Sequence, residues 1–421
     1  MTPFRLAVVA EYYPRPSDPA LGIWAHRQAA GVHALGADVR ALALERPLPP
    51  LRALRRLDRR LLGEWLGRIR HPPADASFDG VHIRYVRFVS PPRPVSYATW
   101  GRWAARPLAR ALDRLWAEAP LELIHAHYAV PAGDAVLRWL AARGRRLPLV
   151  VSVHGGDLSY AAARSARGRA TVARVLQAAD AVIANSEVTR RGIEELTGPL
   201  PRIRVIHPGA DAAASRAERH ADQTLVTVAH LEPHKNQASV IRALAALAGR
   251  HPRLRYELIG KGPDRESLEA LARSLGVADR VTFWGAMPHE AALAELARCH
   301  VHVMPSVHDA FGVAHVEAMA AGLPTIGAEG TGAEDIAAAG EGMVLVTAGD
   351  VTAIARAIGS LIADPTELQR LGEAGRRTAA EQFSWSRNAE ATFALYREVL
   401  DDAGSAAVTP SRRASGSKVE P

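Results

Sequence analysis

The chain has 421 residues, 48% of them hydrophobic and 5% aromatic, and a formal net charge of +8. That length is more than one hydrophobic core comfortably holds and predicts two domains. Its one cysteine, Cys299, excludes an internal disulfide and a cysteine-based zinc centre and suits a reducing compartment. No window reaches the roughly 18 apolar residues of a spanning helix, and residues 1–10 read as a first strand rather than a secretory leader. The expectation is a cytoplasmic protein, soluble or peripheral on the inner face of a membrane.

In chain order, residues 4–10 and 37–44 are near-continuous apolar strands with a helix over 24–35 between them. Further strands follow at 81–87, 121–127, 147–153 and 181–184. Such alternation of strand and helix predicts a parallel, doubly wound sheet. The first strand leads into a Pro-rich loop ending at Gly22, with no complete G-x-G-x-x-G, so a nicotinamide site is disfavoured. Residues 51–70, LRALRRLDRRLLGEWLGRIR, form a basic helix candidate with Leu, Trp and Ile at near-helical spacing. It fits either an anionic membrane surface or an Arg-rich solvated face packed by its Leu stripe. Nucleic acid lacks any supporting motif.

His125 and His127 alternate along a strand and share a face, which suits core or cleft residues better than a metal centre. His154 ends a strand beside Gly155 and Gly156, where another molecule can approach the backbone closely; the alternative is a turn capped by the imidazole. Residues 211–223, small and polar, read as the linker.

The second half opens with a strand from 225, then a loop carrying His230 and Lys235, then a helix over 237–249. Free backbone N–H groups and a point charge at such a helix start favour a diphosphate, although a lone exposed lysine is the plainer reading. Strands follow at 256–259, 281–284, 301–304, 324–327 and 343–346; Lys261 follows the first of these and faces the expected cleft. Residues 304–327, MPSVHDAFGVAHVEAMAAGLPTIG, read as strand end, loop, a helix buried all round from Gly312 to Gly322, and the next strand. Glu317 inside that helix needs a partner, either a neighbouring Arg or backbone group, or a ligand such as a ribose diol. Helices over 351–363, 367–381 and 386–400 complete the chain, with 401–421 expected to be disordered.

Asp309, seven residues, Glu317, with Phe311-Gly312 after the first acid and Ala318-Met319-Ala320-Ala321-Gly322-Leu323-Pro324 after the second, resembles the family-4 retaining glycosyltransferases of GT-B type. Asp309 stands where Glu is usual, His230 where Arg is usual, and Asn236 where Gly often follows the lysine. The resemblance covers roughly residues 4–400. It implies a GT-B architecture of two Rossmann-like domains, 1–210 on the acceptor side and 224–384 for the nucleotide sugar, with the 385–400 helix crossing back to the first.

The resemblance also implies a reaction: sugar transfer with retention from a nucleoside diphosphate sugar to a glycan or lipid-linked acceptor, with no metal and no cofactor, in surface polysaccharide or glycolipid assembly. His154, Lys235 and His230 take catalytic roles. Gly22, Lys235, Lys261, Asp309, Phe311, Gly312, Val313 and Glu317 contact the donor, the three residues from 311 through their backbone, while His127 and Asp157 lie on the acceptor side. Two other readings stay open: an epimerase of the same architecture, or a catalytically weak sugar-nucleotide-binding partner subunit.

Overall fold

The structure, a computed structural model, describes residues 4–47, 60, 63, 66–67, 75–210 and 218–408. Nearly all of the basic segment 51–70 therefore lies outside the described residues.

Two sheets carry the fold. The first holds β1 (Arg5–Ala10), β2 (Asp38–Glu45), β3 (Ala76–Phe78), β4 (Val81–Arg87), β5 (Leu123–His127), β6 (Leu149–Val153), β7 (Ala181–Ala184) and β8 (Ile203–Val205). Its strand order is β3-β4-β2-β1-β5-β6-β7-β8, parallel except for the β3/β4 pair. The second sheet holds β9 (Thr224–Val228), β10 (Arg255–Ile259), β11 (Val281–Gly285), β12 (Val301–Val303), β13 (Thr325–Ala328) and β14 (Met343–Val346). It runs β11-β10-β9-β12-β13-β14, parallel throughout. Every residue of β1, β5, β6 and β7 is buried, because helices cover both faces and leave no side for polar alternation.

Both sheets reverse direction at one point, β1 against β5 in the first and β9 against β12 in the second. The loops leaving those strands open a crevice at their carboxyl ends, where parallel sheets bind ligands. The cleft between the domains is lined by residues after β6 and β7 of the first sheet and by those after β9 and β12 of the second.

The last helix, Trp385–Val408, returns from the second domain to the first. Leu395, Tyr396 and Val399 join Leu6, Val8 and Ile183 in one core, and the Phe393 ring lies 5.3 Å from that of Phe4. Gln28 Nε2 donates to Thr392 Oγ1 at 2.8 Å, and Tyr396 Oη meets His125 Nδ1 at 2.6 Å. His125 is therefore a core residue tied to the final helix.

Several expectations need correction. The helix beyond Gly312 is Val313–Ala320, and Val313, Ala314, Glu317 and Ala320 are half-buried, so the helix is not buried all round. The stretch expected to be disordered from 401 is helical as far as Val408, since Ala-rich chain continues the preceding helix and Arg202 pairs with Asp402. Residues at the end of the expected linker are docked: His220 N donates to Arg298 O at 2.9 Å, and its Nε2 meets Glu295 Oε1 at 2.8 Å. Cys299 is buried just before β12.

Candidate active site

The second domain supplies its charged groups from two docked loops. The loop after β9 turns through Asn236, which is left-handed (φ 60°) and starts the Gln237–Leu247 helix. Asparagine tolerates this conformation, so it serves where a glycine is common. Its side chain also does what glycine cannot, donating from Nδ2 to Pro305 O at 3.0 Å. Val307 N donates to His234 O at 2.8 Å and Lys235 Nζ stands 2.7 Å from Asp309 Oδ2, so three bonds lock the loop after β9 to the loop after β12. Both charged side chains are largely buried, 17% and 15% exposed.

The first domain contributes β6 and its continuation. Gly155 is left-handed (φ 86°), and a Cβ there would lie 2.5 Å from Ala310 Cβ of the second domain. Glycine is required at this crossing both for its backbone conformation and for the closeness of the two domains. His154 Nε2 meets His127 Nδ1 at 3.0 Å with the rings stacked, and burial holds the His154 pKa down at about 4, so the imidazole is neutral near pH 7. His127 Nε2 is buried without a partner. An orphaned N–H costs more than an orphaned acceptor, which favours the tautomer that carries the His127 proton on Nδ1 and donates it to His154 Nε2. His154 then carries its own proton on Nδ1.

Between these groups lies a cleft of about 710 Å³ lined from one domain by His154, Gly155, Gly156, Thr189 and Arg191, and from the other by His234, Lys235, His308, Asp309, Ala310 and Gly330. Among the sequence-expected residues, His154, Lys235 and Asp309 meet here. His234 and His308 were not singled out, although each neighbours one that was. Thr189 and Arg191 come from the Glu187–Thr197 helix, capped by Ser186.

Other expected site residues are placed differently. Glu317 is outside this lining on the half-open face of its helix, with His289 Nε2 3.6 Å from Oε1, so a histidine stands where an arginine or backbone group was considered. His230 is exposed and its Nδ1 meets Lys261 O at 3.2 Å, while Lys261 is itself exposed. Gly22 is left-handed (φ 65°) and a Cβ would strike the Tyr12 carbonyl carbon at 2.2 Å, so its glycine is required by packing of the first loop. Gly312 (φ 87°) starts the Val313–Ala320 helix. The Phe311 ring is buried between His207 (5.4 Å) and Phe383 (5.6 Å), leaving only its backbone for a ligand.

The two acceptor-side residues are corrected. His127 and Asp157 are each 1% exposed, too enclosed to touch an acceptor. Asp157 instead accepts from Ala129 N at 2.7 Å and His154 N at 3.4 Å, and burial raises its pKa to about 7. It fastens the turn after β5 to the strand end bearing His154.

Next to the cleft the domains are joined by Asp335, whose Oδ2 accepts from Glu187 N at 2.7 Å and meets His207 Nε2 at 2.8 Å. Away from it, His220, Glu257 and Cys299 are the grouping among the described residues with metal-ligand spacing. Trp284 Nε1 donates to Glu257 at 3.0 Å and the Cys299 thiol faces the same carboxylate at 3.7 Å, so hydrogen bonds already satisfy this cluster.

Comparison with known proteins agrees with this geometry. Residues 211–378 match the family described as Glycosyl transferases group 1, and residues 21–214 match Glycosyltransferase Family 4. The GDP-mannose-dependent alpha-(1-6)-phosphatidylinositol monomannoside mannosyltransferase of Mycolicibacterium smegmatis is 31% identical over 297 residues, covering 66% of this chain and 77% of that protein. The D-inositol 3-phosphate glycosyltransferase of Streptomyces bingchenggensis is 31% identical over 312 residues, 66% of this chain and 67% of that one.

Among solved structures, sucrose-phosphate synthase of Thermosynechococcus elongatus superimposes with a TM-score of 0.74 at 20% identity, over 95% of this chain and all (100%) of that one. Anabaena HepE in complex with UDP and glucose gives 0.67 at 18% identity, over 93% and 99%. The two sheets facing across a cleft, and relatives over two thirds of their length, establish that this chain belongs to the family-4 glycosyltransferases of GT-B fold.

Proposed function

We propose that the chain is a retaining, metal-independent hexosyltransferase. It moves a sugar from a nucleoside diphosphate sugar to the hydroxyl of a glycan or lipid-linked acceptor, in surface polysaccharide or glycolipid assembly at the cytoplasmic face of a membrane. The observation that carries this reading is the fixed Lys235 ammonium beside a helix start, facing His154 and the Gly155-Gly156 backbone across one cleft.

In this reading the diphosphate sits at the start of the Gln237–Leu247 helix, where unpaired N–H groups and Lys235 favour an anion. As the sugar–phosphate bond breaks, charge grows on the leaving diphosphate, and Lys235 neutralises it from a position already set by Asp309; such preorganised charge lowers the barrier without reorganisation. His154 donates Nδ1–H to a sugar or phosphate oxygen. Glu317 accepts from the ribose hydroxyls, with the Phe311-Gly312-Val313 backbone nearby. Gly22, His230 and Lys261 border the phosphates more loosely. The leaving phosphate takes the acceptor proton, so no separate base is needed.

Support for a nucleotide donor comes from the GDP-mannose named for the mycobacterial relative and the UDP bound by HepE. The test is thermal stability with UDP, GDP, ADP and their sugar conjugates. At a hundredfold excess over Kd a ligand adds about 2.7 kcal/mol to the folded state. A shift selective for one base names the donor, after which turnover in excess EDTA and the anomeric configuration of the product test metal independence and retention. No shift with any nucleotide rejects the reading.

A further inference from the structure

The Trp100–Glu118 helix packs Trp100, Ala104, Leu108, Ala111, Leu112 and Leu115 into the first domain. Its other face carries Arg102, Arg106, Arg110 and Arg114, all exposed and spaced by four residues, so that they follow one side of the helix. None of the four enters an ion pair among the described residues. Between Arg102 and Arg106 stands Trp103, 48% exposed, among the largest apolar side chains left at the surface.

A shallow groove of about 990 Å³ separates this face from the Asp134–Arg143 helix, lined in part by Arg102, Trp103, Arg106, Arg110, Arg138 and Arg143. The last two are neutralised, Arg138 by Asp134 at 3.0 Å and Arg143 by Asp113 at 2.6 Å. The uncompensated charge thus belongs to the one helix.

We infer that this face is a docking surface for anionic lipid headgroups, with the arginines on lipid phosphates and the Trp103 indole at the headgroup level. Four unpaired guanidiniums on a helix lying along the surface supply long-range attraction to a negatively charged leaflet. An indole, apolar in body with one polar N–H, is the side chain that prefers the membrane–water boundary. Nucleic acid would use the same charges, but the one exposed ring among them offers no platform for successive bases.

At the start of the helix Trp100 meets Tyr97 edge to face with ring centroids 4.8 Å apart; the Tyr97 hydroxyl lies 3.0 Å from Val130 O and 2.9 Å from Glu11 Oε2, both just past the carboxyl ends of β5 and β1. The amino-terminal end of this face therefore lies toward the carboxyl ends of β1 and β5, and its far end, at Ala119, toward Arg5 at the start of β1. The inference extends the membrane part of the proposed function, and because vesicle binding is measured apart from turnover, either can fail alone.

The experiment is co-sedimentation of the full chain with phosphatidylcholine vesicles, with and without phosphatidylglycerol, at low and high salt. The wild type should bind only the anionic vesicles and be released by salt. Each arginine near such a surface contributes about fivefold, so the triple variant Arg102→Gln, Arg106→Gln, Arg110→Gln should lose roughly 100-fold. Trp103→Ser should weaken binding while leaving its salt dependence unchanged. All these side chains are exposed, so unaltered thermal unfolding verifies folding, and turnover on a water-soluble acceptor should match wild type. Failure of the wild type to bind anionic vesicles overturns the inference. So does a triple variant that binds as wild type, which would put the lipid surface elsewhere, or retention on nucleic acid without vesicle binding.

Discussion

Lys235 Nζ and Asp309 Oδ2, 74 residues apart in sequence, stand 2.7 Å from each other at the floor of the cleft. The pair holds the ammonium in place before any ligand arrives. Lys235→Ala should lower nucleoside diphosphate affinity by about 1.5 to 3 kcal/mol, the worth of a hydrogen bond to a charged group. Titration calorimetry measures it, and affinity equal to wild type would remove Lys235 from the diphosphate site.

Glu317 is half-buried on the open side of its helix with His289 near one oxygen. Glu317→Ala should weaken ribonucleotide binding by a similar amount, about 1.5 to 3 kcal/mol. The loss should vanish when wild type and variant are compared with a 2′,3′-dideoxy nucleotide. An equal loss with both nucleotides would mean that the carboxylate acts through packing instead of through the ribose.

Gly155 separates the two domains' contributions. A methyl group there meets Ala310 at 2.5 Å and forces a left-handed backbone on a residue with a Cβ. Gly155→Ala should therefore cost about 1 to 2 kcal/mol of local strain and hold the domains apart. Turnover should fall while nucleotide affinity, carried by the second domain, changes little. Calorimetry and a rate assay on one preparation distinguish this from a nucleotide-binding defect.

Stability should fall steeply in acid. His125, His154, His300 and His315 have pKa values driven down by burial to about 3, 4, 4 and 3. In the unfolded chain these groups take up protons near pH 6.5, so their contribution is complete above that pH and is lost as pH falls toward 4. Asp157 and Glu11, raised by burial to about 7 and 6, act oppositely: their contribution is present below the ordinary carboxylate pKa and is lost as pH rises through those values. Four groups outweigh two, so the urea midpoint should drop between pH 6.5 and 4.5. A flat midpoint over that window contradicts the neutral, buried assignment of the histidines.

Asp335 accepts from a backbone N–H and a histidine of the first domain. Asp335→Ala leaves the Glu187 N–H without its partner and should cost about 1 to 3 kcal/mol, seen as a lower thermal midpoint.

The strands were legible because parallel strands covered on both faces are continuous apolar runs, as at residues 4–10 and 149–153. The helix carrying Glu317 was legible from the turn signals at Gly312 and Gly322. What escaped depends on contacts between distant segments. Nothing local to His289 announces Glu317, and nothing near His207 announces Asp335. The family resemblance put His127 and Asp157 on the acceptor side, whereas both are enclosed and serve His154 through hydrogen bonds. Asn236 read as a departure from glycine, yet its left-handed backbone preserves the turn and its side chain fastens a second loop.

The final helix has a consequence for how the protein is made. On the ribosome the second sheet can be completed once Val346 has emerged, but the first domain lacks Phe393, Leu395, Tyr396 and Val399 of its core until almost the whole chain is synthesised. The segment translated first is thus finished last. Truncation before Trp385 should leave its partners Phe4, Gln28 and His125 uncovered, and the nascent first domain a substrate for chaperones until the helix closes it.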